Sequence, residues 1–262
     1  MIKYSGTAEK RGIMMDYFVE GEKIFIDETK KPLGKGSEGT CYKRKNQVYK
    51  IYHKSSIYEF GHNKSVNHQY LIGIPTKQTI LPNALIYNED YSYAGYRANY
   101  IKGEKDITKK QGITLLSSST FIKNLQILES DMSLLAHNYV LVADIQPINY
   151  FLDKENNTMY IIDPGRYTVK RFDHGNNEKE DKELIQECDK QNGSQLESLI
   201  TTLLYNDLVK YKPLNSKAKL QKLRDYIVKE KDTLSYSQYF NEALKKYENP
   251  NTYFKSLGKY IK

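Results

Sequence analysis

An α+β fold of two lobes is the fold class that this sequence predicts: an N-terminal antiparallel β lobe with one helix, followed by a mainly helical C-terminal lobe. Three observations predict it. Strand-like runs separated by turn residues occupy the first third of the chain, and helical spacing of apolar residues dominates the rest. At 262 residues, the chain is long enough for one large domain or two lobes. We therefore expect lobes at residues 1–102 and 103–262, with a hinge at Ile101–Gly103.

The first lobe begins with three pairs of strand-like runs, each pair separated by a short turn. The runs are rich in β-branched and aromatic residues, and the turns fall at Gly21, at 45–47 and at 89–91. The paired runs read DYFV and EKIFI, GTCYKR and QVYKIY, and NALIYNED and SYAGYRANYI. Residues 55–72, between the second and third pairs, are polar with scattered apolar side chains, which predicts one helix. These runs together predict an antiparallel sheet with one helix.

The second lobe begins with a helix at residues 119–137, where apolar side chains recur at the spacing of a buried helix and Ser118–Thr120 are candidate N-cap residues. Two short strand-like pieces follow, YVLVADI and MYIIDPG, separated by the connection QPINYFLDKENNT. From Ser194 onward three segments carry amphipathic repeats: SQLESLITTLLYNDLV, SKAKLQKLRDYIVKEK and SYSQYFNEALKKY. The second lobe is therefore predicted to be mainly helical.

The composition is that of a globular protein, with 39% hydrophobic and 27% charged residues. No apolar run approaches the roughly 20 residues of a membrane-spanning helix, and the N-terminus lacks the apolar segment of a secretory signal. We therefore expect a cytoplasmic protein with no membrane span. The two cysteines, Cys41 and Cys188, lack CxxC or Cys/His spacing, which predicts free thiols and argues against a zinc site.

The formal net charge of +8 and the pI near 9.1 raise the question of nucleic-acid binding. The basic residues are, however, spread along the chain and interspersed with acids, as in the segment 217–231. Such patterns are typical of solvated helix faces, and the 24 tyrosines are more typical of half-buried structural positions than of base-stacking platforms. No specific nucleic-acid partner is expected.

A glycine-rich segment, PLGKGSEGTCYKRKNQVYKIY, is the first candidate for a functional site. Gly34, Gly36 and Gly39 allow a tight turn and bring backbone N–H groups close to a ligand, which suits a phosphate group. The same glycines also fit an ordinary hairpin. Taken alone, the segment leaves both a phosphate-binding loop and a structural turn open.

Four features follow one another in an informative order: the glycine-rich segment, Lys50 on the strand after it, DIQPIN from Asp144 to Asn149, and IIDPG around Asp163. Phosphoryl transfer from ATP needs donors around the phosphates, a lysine for the phosphate oxygens, oxygen ligands for the metal and a base near the acceptor hydroxyl. The sequence contains one candidate for each role, although each residue alone also fits an ordinary turn or loop.

In this order and on these elements, the motifs resemble those of the protein-kinase-like superfamily, as a compact atypical kinase of bacterial or phage type. GKGSEGT is similar to the glycine-rich loop, VYK to the strand-3 lysine motif, VADIQPIN to the catalytic loop, IDPG to the metal-binding DFG segment and ANYIKG to the hinge. The resemblance covers residues 32–166 and implies a bilobal protein-kinase-like fold that binds ATP and Mg²⁺.

The resemblance also implies a role for each site residue. Asp144 would accept the proton of the acceptor hydroxyl, Lys50 would hold the ATP phosphates, and Asn149 and Asp163 would hold Mg²⁺. The residues of the nucleotide site would be Gly34, Gly36, Ser37, Gly39, Lys50, Asn99, Tyr100 and Ile101.

Several positions depart from the family pattern. Val142-Ala143 replaces the His-Arg pair before the catalytic aspartate, Pro164 replaces the phenylalanine of DFG, and no APE motif follows. A phosphate switch in an activation loop, a flip of the DFG segment and the usual peptide-docking platform are therefore not expected. The helix partner of Lys50 stays open among Glu59, Gln69 or no residue.

These observations predict an ATP- and Mg²⁺-dependent phosphotransferase that acts on a protein Ser/Thr/Tyr or on another hydroxyl group. One alternative is a pseudokinase that binds nucleotide or a partner protein without turnover. Another is a small-molecule kinase related to the aminoglycoside phosphotransferases, which usually keep a histidine where this chain has Val142. The acceptor, the regulation and the oligomeric state stay open.

Overall fold

The computed structural model of the chain describes residues 14–28, 30–59, 61–105, 118–170 and 178–210. Within them the chain forms two compact units. The first takes the chain up to Gln69 together with Pro82–Tyr100, and the second takes Tyr70–Leu81 and the chain from Ile101 onward. Outside the described residues lie the last two predicted helices, at 216–231 and 235–247.

A seven-stranded antiparallel sheet forms most of the first unit. Its strands are β1 (Met14–Val19), β2 (Glu22–Asp27), β3 (Gly34–Lys35), β4 (Gly39–Arg44), β5 (Gln47–Tyr52), β6 (Pro82–Tyr87) and β7 (Tyr93–Asn99). Their order in the sheet is β2-β1-β6-β7-β5-β4-β3. The three predicted strand pairs are confirmed as the pairs β1–β2, β4–β5 and β6–β7. The two-residue β3 adds to β4 at one edge.

Alternation along the strands separates the two faces of this sheet. One face holds an apolar core to which five strands contribute, formed by Tyr17, Val19, Ile26, Tyr49, Ile51, Ala84, Ile86 and Ala94. The alternate residues of β5, Lys50 and Tyr52, point to the other face, where Tyr96 of β7 lies in register with Lys50. The second face therefore places a lysine among aromatic rings.

Two helices follow β5, α1 (Lys54–Glu59) and α2 (Gly61–Leu71), in place of the single helix predicted at 55–72. The ring of His68 packs edge-on against Tyr96, with the ring centroids 4.9 Å apart, so α2 lies on the second face of the sheet. The side chains that α2 buries are mainly polar, namely Lys64, Asn67 and His68. Because a polar buried face gives weak apolar periodicity, the sequence pattern alone does not show which side of this helix is buried.

The second unit contains two long helices, α3 (Ser118–His137) and α4 (Glu178–Lys210), which pack against each other. Its strands form two small sheets, of order β11-β10-β8 and β12-β9. These strands are β8 (Glu104–Lys105), β9 (Val140–Leu141), β10 (Tyr150–Asp153), β11 (Thr158–Ile161) and β12 (Thr168–Val169). The helix predicted at 119–137 is confirmed as α3.

Two parts of the second unit differ from the sequence prediction. The helix α4 begins at Glu178 rather than at Ser194, because Leu184 and Cys188 are buried one turn apart within a segment whose other residues are mostly charged. The strand β10 lies in the segment predicted as a connection. It is paired on both sides, with the distant β8 and with β11 of the same hairpin, and this pairing stabilises a strand too short to show a pattern of its own.

Two expectations from composition have a structural counterpart. Cys41 is half-buried and Cys188 is buried, and both thiols are free, as predicted. Burial raises the pKa of the Cys188 thiol, and the neighbouring Glu187 carboxylate acts in the same direction. Among the residues that the structure describes, no helix combines the length and the apolar character needed to cross a membrane.

A buried carboxylate on α3 fixes the segment at the start of the second unit. Asp131 is 2% exposed and accepts hydrogen bonds from the backbone N–H groups of Lys77, Gln78 and Thr79, at 2.8, 2.7 and 2.7 Å. The same segment forms a bridge to β11, between Thr79 and Ile161. Asp131 therefore ties residues 77–79 to the helix that supports the candidate site.

Replacing Asp131 by alanine is expected to lower the free energy of unfolding by about 2–4 kcal/mol, because three backbone N–H groups, those of Gln78 and Thr79 among them buried, lose a charged acceptor. Urea denaturation followed by circular dichroism measures the change. Glu183→Ala is the matched control, since the Glu183 side chain is 65% exposed on α4 and should contribute less than about 0.5 kcal/mol. Equal losses in the two variants would contradict an anchoring role for Asp131.

Candidate functional site

The glycine-rich segment forms the hairpin of β3 and β4, with the turn at residues 36–38. The N–H of Gly36 donates to the carbonyl oxygen of Gly39 at 2.9 Å, and the turn residues Gly36 and Ser37 are exposed. His53 fastens the turn to the end of β5: its N–H donates to the Glu38 carbonyl at 2.9 Å, and its Nδ1 lies 3.2 Å from the Ser37 carbonyl oxygen. The turn is therefore held at a defined place beside β5.

The predicted glycines have different surroundings. Gly34 lies in β3 opposite Cys41, and Gly39 lies at the start of β4 opposite Tyr52. A Cβ at Gly39 would lie within 3.0 Å of the carbonyl oxygen of Ile51, a separation that Cβ atoms essentially never show. Gly39 is thus required for the close approach of β4 to β5, whereas Gly36 has no such steric demand.

Lys50 lies in the middle of β5, between Cys41 of β4 and Tyr96 of β7. Its side chain is 5% exposed, and its ammonium group lies 5.2 Å from the centroid of the Tyr52 ring and 6.0 Å from that of Tyr96. Aromatic faces stabilise a cation at such distances. The lysine that the motif singled out is therefore a buried cation on the face covered by α2.

On α2, the charged residue that faces this region is a lysine rather than a glutamate. Lys64 is 5% exposed, and its Nζ lies 3.2 Å from Oε2 of Glu38 in the glycine-rich turn. Of the two helix partners considered for Lys50, Gln69 is exposed, and the side chain of Glu59 lies outside the described residues. The sequence did not single out Glu38 or Lys64, although Glu38 is part of the GKGSEGT motif itself.

The predicted hinge residues begin at the end of β7. Oδ1 of Asn99 accepts hydrogen bonds from the side-chain amides of Gln47 and Asn83, at 3.1 and 3.2 Å. The backbone N–H of Tyr100 donates to the carbonyl oxygen of Asn46 at 3.0 Å, so this N–H group already has an acceptor within the protein. Ile101, the third of these residues, is half-buried. The second of the two chain segments that make up the second unit begins at this residue.

In the second unit, three predicted residues come together at one end of the β10–β11 hairpin. Asn149 ends a 3-10 turn after Asp144, and its Nδ2 donates to the Asp144 carbonyl oxygen at 3.1 Å. The N–H of Ile162 donates to the Asn149 carbonyl at 2.8 Å, next to the last register pair of the hairpin. Asp163 follows directly. Asp144, Asn149 and Asp163 are therefore neighbours, although they come from two separate motifs.

Both aspartates have a backbone conformation that is rare for residues other than glycine. The φ angles are +62° at Asp144 and +66° at Asp163. Aspartate and asparagine tolerate this left-handed region better than most residues, and such conformations are enriched at functional sites. The conformation thus gives a structural reason for aspartate or asparagine at both positions.

Among the described residues, two side chains contact the carboxylate of Asp144. The amide nitrogen of Gln146 donates to Oδ1, and Nε of Arg166 lies 3.6 Å from Oδ2. The Arg166 side chain is 49% exposed, so this ion pair contributes little to stability. The sequence analysis did not single out either residue. Their closeness to the motifs could have indicated them, because Arg166 directly follows IDPG and Gln146 lies two residues after Asp144.

A buried asparagine holds the segment that leads to Asp144. Asn192 of α4 is fully buried; its Oδ1 accepts from the N–H of Val142 at 2.7 Å, and its Nδ2 donates to the carbonyls of Val140 and Met132 at 2.9 and 3.2 Å. Val142 is itself 1% exposed. Side-chain packing and a helix-borne amide therefore fix the start of this loop.

A tyrosine lies close to the carboxylates of the site. Tyr167 is 3% exposed, and its hydroxyl has no hydrogen-bond partner among the residues that the structure describes. Burial raises the pKa of the Tyr167 phenol, and the negative charges of Asp163, Asp131 and Asp144 raise it further. Tyr167 is therefore neutral at physiological pH and lies within the field of three aspartates.

The residues present fit a magnesium ion. The amide nitrogen of Asn149 donates to the Asp144 carbonyl. The amide oxygen of Asn149 and the carboxylate of Asp163 are oxygen ligands of the kind that Mg²⁺ prefers. Mg²⁺ is usually bound by one or two protein oxygen ligands together with substrate phosphates and water. In the described part of the chain, no group of three or more His, Cys, Asp or Glu side chains is arranged to hold a metal by itself.

Comparison with known proteins shows similarity in fold. No protein-family model matches the chain, and no curated protein matches its sequence. The PknI kinase domain of Mycobacterium tuberculosis matches with a TM-score of 0.51 and 10% identity, over 67% of this chain and 72% of that chain. Rad53 1–466 in complex with AMP-PNP matches with a TM-score of 0.50 and 11% identity, over 72% of this chain and 47% of that one, so this chain spans about half of its length. These matches show a protein-kinase-like fold.

Proposed function

We propose that the chain is an ATP- and Mg²⁺-dependent phosphotransferase that moves the γ-phosphate of ATP to a protein Ser/Thr/Tyr or to another hydroxyl group. The observation that carries this proposal is the contact between Asp144 and Asn149, with Asp163 following Ile162 at the same end of the β10–β11 hairpin. The fold supports it, and Rad53, a structure of similar fold, binds an ATP analogue.

In this proposal the second unit supplies the metal ligands and the proton acceptor. Asn149 and Asp163 hold Mg²⁺, which neutralises charge on the phosphate oxygens when bound. The acceptor oxygen forms a bond to the γ-phosphorus while the bond from that phosphorus to the β–γ bridging oxygen breaks. The carboxylate of Asp144 takes the hydroxyl proton, and Gln146 and Arg166 orient that carboxylate through their contacts with its two oxygens.

The first unit supplies the contacts to the nucleotide. The exposed turn at Gly36 and Ser37 offers backbone N–H groups, and His53 keeps the turn beside β5. Lys50 offers a buried cation for the phosphates. The adenine would lie against the segment formed by Asn99, Tyr100 and Ile101. This assignment rests on the same resemblance to protein kinases as that of the glycine-rich turn.

One observation favours the alternative, a pseudokinase that binds nucleotide without turnover. The Asp144 carboxylate is already engaged by Gln146 and by the guanidinium of Arg166, which competes with an acceptor hydroxyl for the same oxygens. The ion pair is, however, partly exposed, and exposed pairs open at little cost in free energy. We therefore retain phosphoryl transfer, rather than nucleotide binding without turnover, as the proposed function.

The protein is expected to melt about 5 °C higher with MgATP at about 100 times its Kd, because a ligand that binds the folded state stabilises it by mass action. Thermal melting with and without MgATP measures the shift. Lys50→Met should reduce it strongly, whereas Lys54→Met, which changes an exposed lysine on α1, should leave it unchanged. If millimolar MgATP does not shift the melting of the wild type, both the phosphotransferase and the nucleotide-binding pseudokinase are contradicted.

A further inference from the structure

The burial of Lys64 on α2 calls for a functional reason. Its ammonium group is 4.0 Å from the centroid of the Tyr52 ring and 3.2 Å from Oε2 of Glu38, and the side chain is 5% exposed. Removing an ammonium group and a carboxylate from water costs several kcal/mol, which their mutual attraction often fails to recover. An apolar residue at this position of α2 would avoid that cost.

Two buried lysines approach the same aromatic ring. The ammonium group of Lys50 lies 5.2 Å from the Tyr52 ring centroid and that of Lys64 lies 4.0 Å from it, although one comes from β5 and the other from α2. Like charges on one face of a sheet repel each other unless negative charge lies near them, and Glu38 supplies such a charge to Lys64. Two convergent lysines suit an anion that carries several charges, as a nucleotide diphosphate or triphosphate does.

Glu38 joins Lys64 to the glycine-rich turn. The Glu38 side chain is 14% exposed, and its backbone carbonyl is held by the N–H of His53. It is therefore the carboxylate of the turn itself that reaches the lysine on α2. A carboxylate and a phosphate present similar oxygen acceptors to an ammonium group, but the carboxylate carries a single negative charge.

We propose that Lys64 is a second phosphate-binding lysine, and that the Glu38 carboxylate is the counter-ion that nucleotide phosphates displace from it. The proposal rests on the proposed function. Binding exchanges one ion pair for another: a phosphate oxygen takes the place of Oε2 on the Lys64 ammonium group, and the Glu38 side chain turns toward solvent.

Isothermal titration calorimetry with three probes tests the proposal: adenosine, ADP and AMP-PNP, each in the presence of Mg²⁺. Lys64→Met is expected to weaken AMP-PNP binding about 10–100-fold and to change adenosine binding less than about twofold, because a charge-assisted contact to phosphate is lost. Glu38→Gln is expected to tighten AMP-PNP binding about 3–10-fold, because the competing carboxylate is removed. Controls are Lys54→Met on α1 and Glu22→Gln on β2, both at exposed positions.

A purely structural tie between the turn and α2 gives the opposite pattern. Glu38→Gln would then weaken AMP-PNP binding, and Lys64→Met would weaken adenosine and AMP-PNP equally; either result overturns the proposal. Melting temperatures verify that each variant is folded, and Glu38→Gln decides the matter if Lys64→Met does not fold. If Lys50→Met weakens AMP-PNP binding and Lys64→Met does not, this inference alone fails. If the wild type binds none of the probes, the proposed function fails with it.

Discussion

Asp144→Asn is expected to lower the rate of phosphoryl transfer by about 10²–10⁴-fold, the usual contribution of a positioned general base, while nucleotide binding stays nearly unchanged. The amide cannot take the hydroxyl proton. The fold should tolerate the change, because asparagine adopts the left-handed backbone conformation found at this position, where φ is +62°. The backbone carbonyl that accepts from Asn149 is also retained.

The measurement is autophosphorylation or phosphate release from γ-labelled ATP, with wild type and variant at equal concentration. Glu22→Gln on the exposed edge strand β2 is the control for removal of a carboxylate. Calorimetry with AMP-PNP confirms that the nucleotide still binds. If Asp144→Asn is as active as the wild type, the measured phosphate release is background, and the pseudokinase hypothesis replaces that of a phosphotransferase.

Asp163→Asn is expected to abolish transfer and to weaken Mg²⁺-dependent nucleotide binding, because it removes a negative charge from the ligands of the metal. Its backbone φ of +66° is again one that asparagine accepts, so loss of function should not reflect loss of fold. The two asparagine variants are therefore matched in chemistry and in backbone conformation. They differ in what they are expected to impair.

Binding of AMP-PNP with Mg²⁺ and with EDTA separates these two roles. In the wild type and in Asp144→Asn, Mg²⁺ should strengthen binding to a similar degree, whereas in Asp163→Asn most of this gain should be lost. Equal Mg²⁺ dependence in all three proteins would contradict a metal-binding role for Asp163. The direction of each change is the same whichever hydroxyl group accepts the phosphate, so the experiment does not need the acceptor to be identified.

Much of the first unit was predictable because its signals are local. GTCYKR and QVYKIY coincide with β4 and β5 residue for residue. Alternating side chains, β-branched and aromatic residues and a polar turn act between close neighbours in the sequence. The helix α3 was equally clear, since its apolar residues recur once per turn. By contrast, β10 depends on pairing with β8 and β11, which no local pattern records.

The candidate site was predictable in its parts. Asp144 and Asn149 belong to one motif and Asp163 to another, and the order of these motifs suggested the chemistry before any contact was known. Their adjacency depends on the β10–β11 hairpin, whose first strand the sequence pattern did not show. The helix partner of Lys50 stayed open, because a mainly polar helix does not show from its sequence which of its faces is buried.

The sequence by itself determined which chemical groups are available and in what order: a glycine turn, a lysine on the next strand, and three oxygen-bearing residues in two loops. Only the tertiary structure decided their partners. It pairs Glu38 with Lys64, 26 residues apart, and Arg166 with Asp144. The physical reason is that apolar burial follows a periodic pattern along the chain, whereas an ion pair depends on two side chains that folding brings together from separate segments.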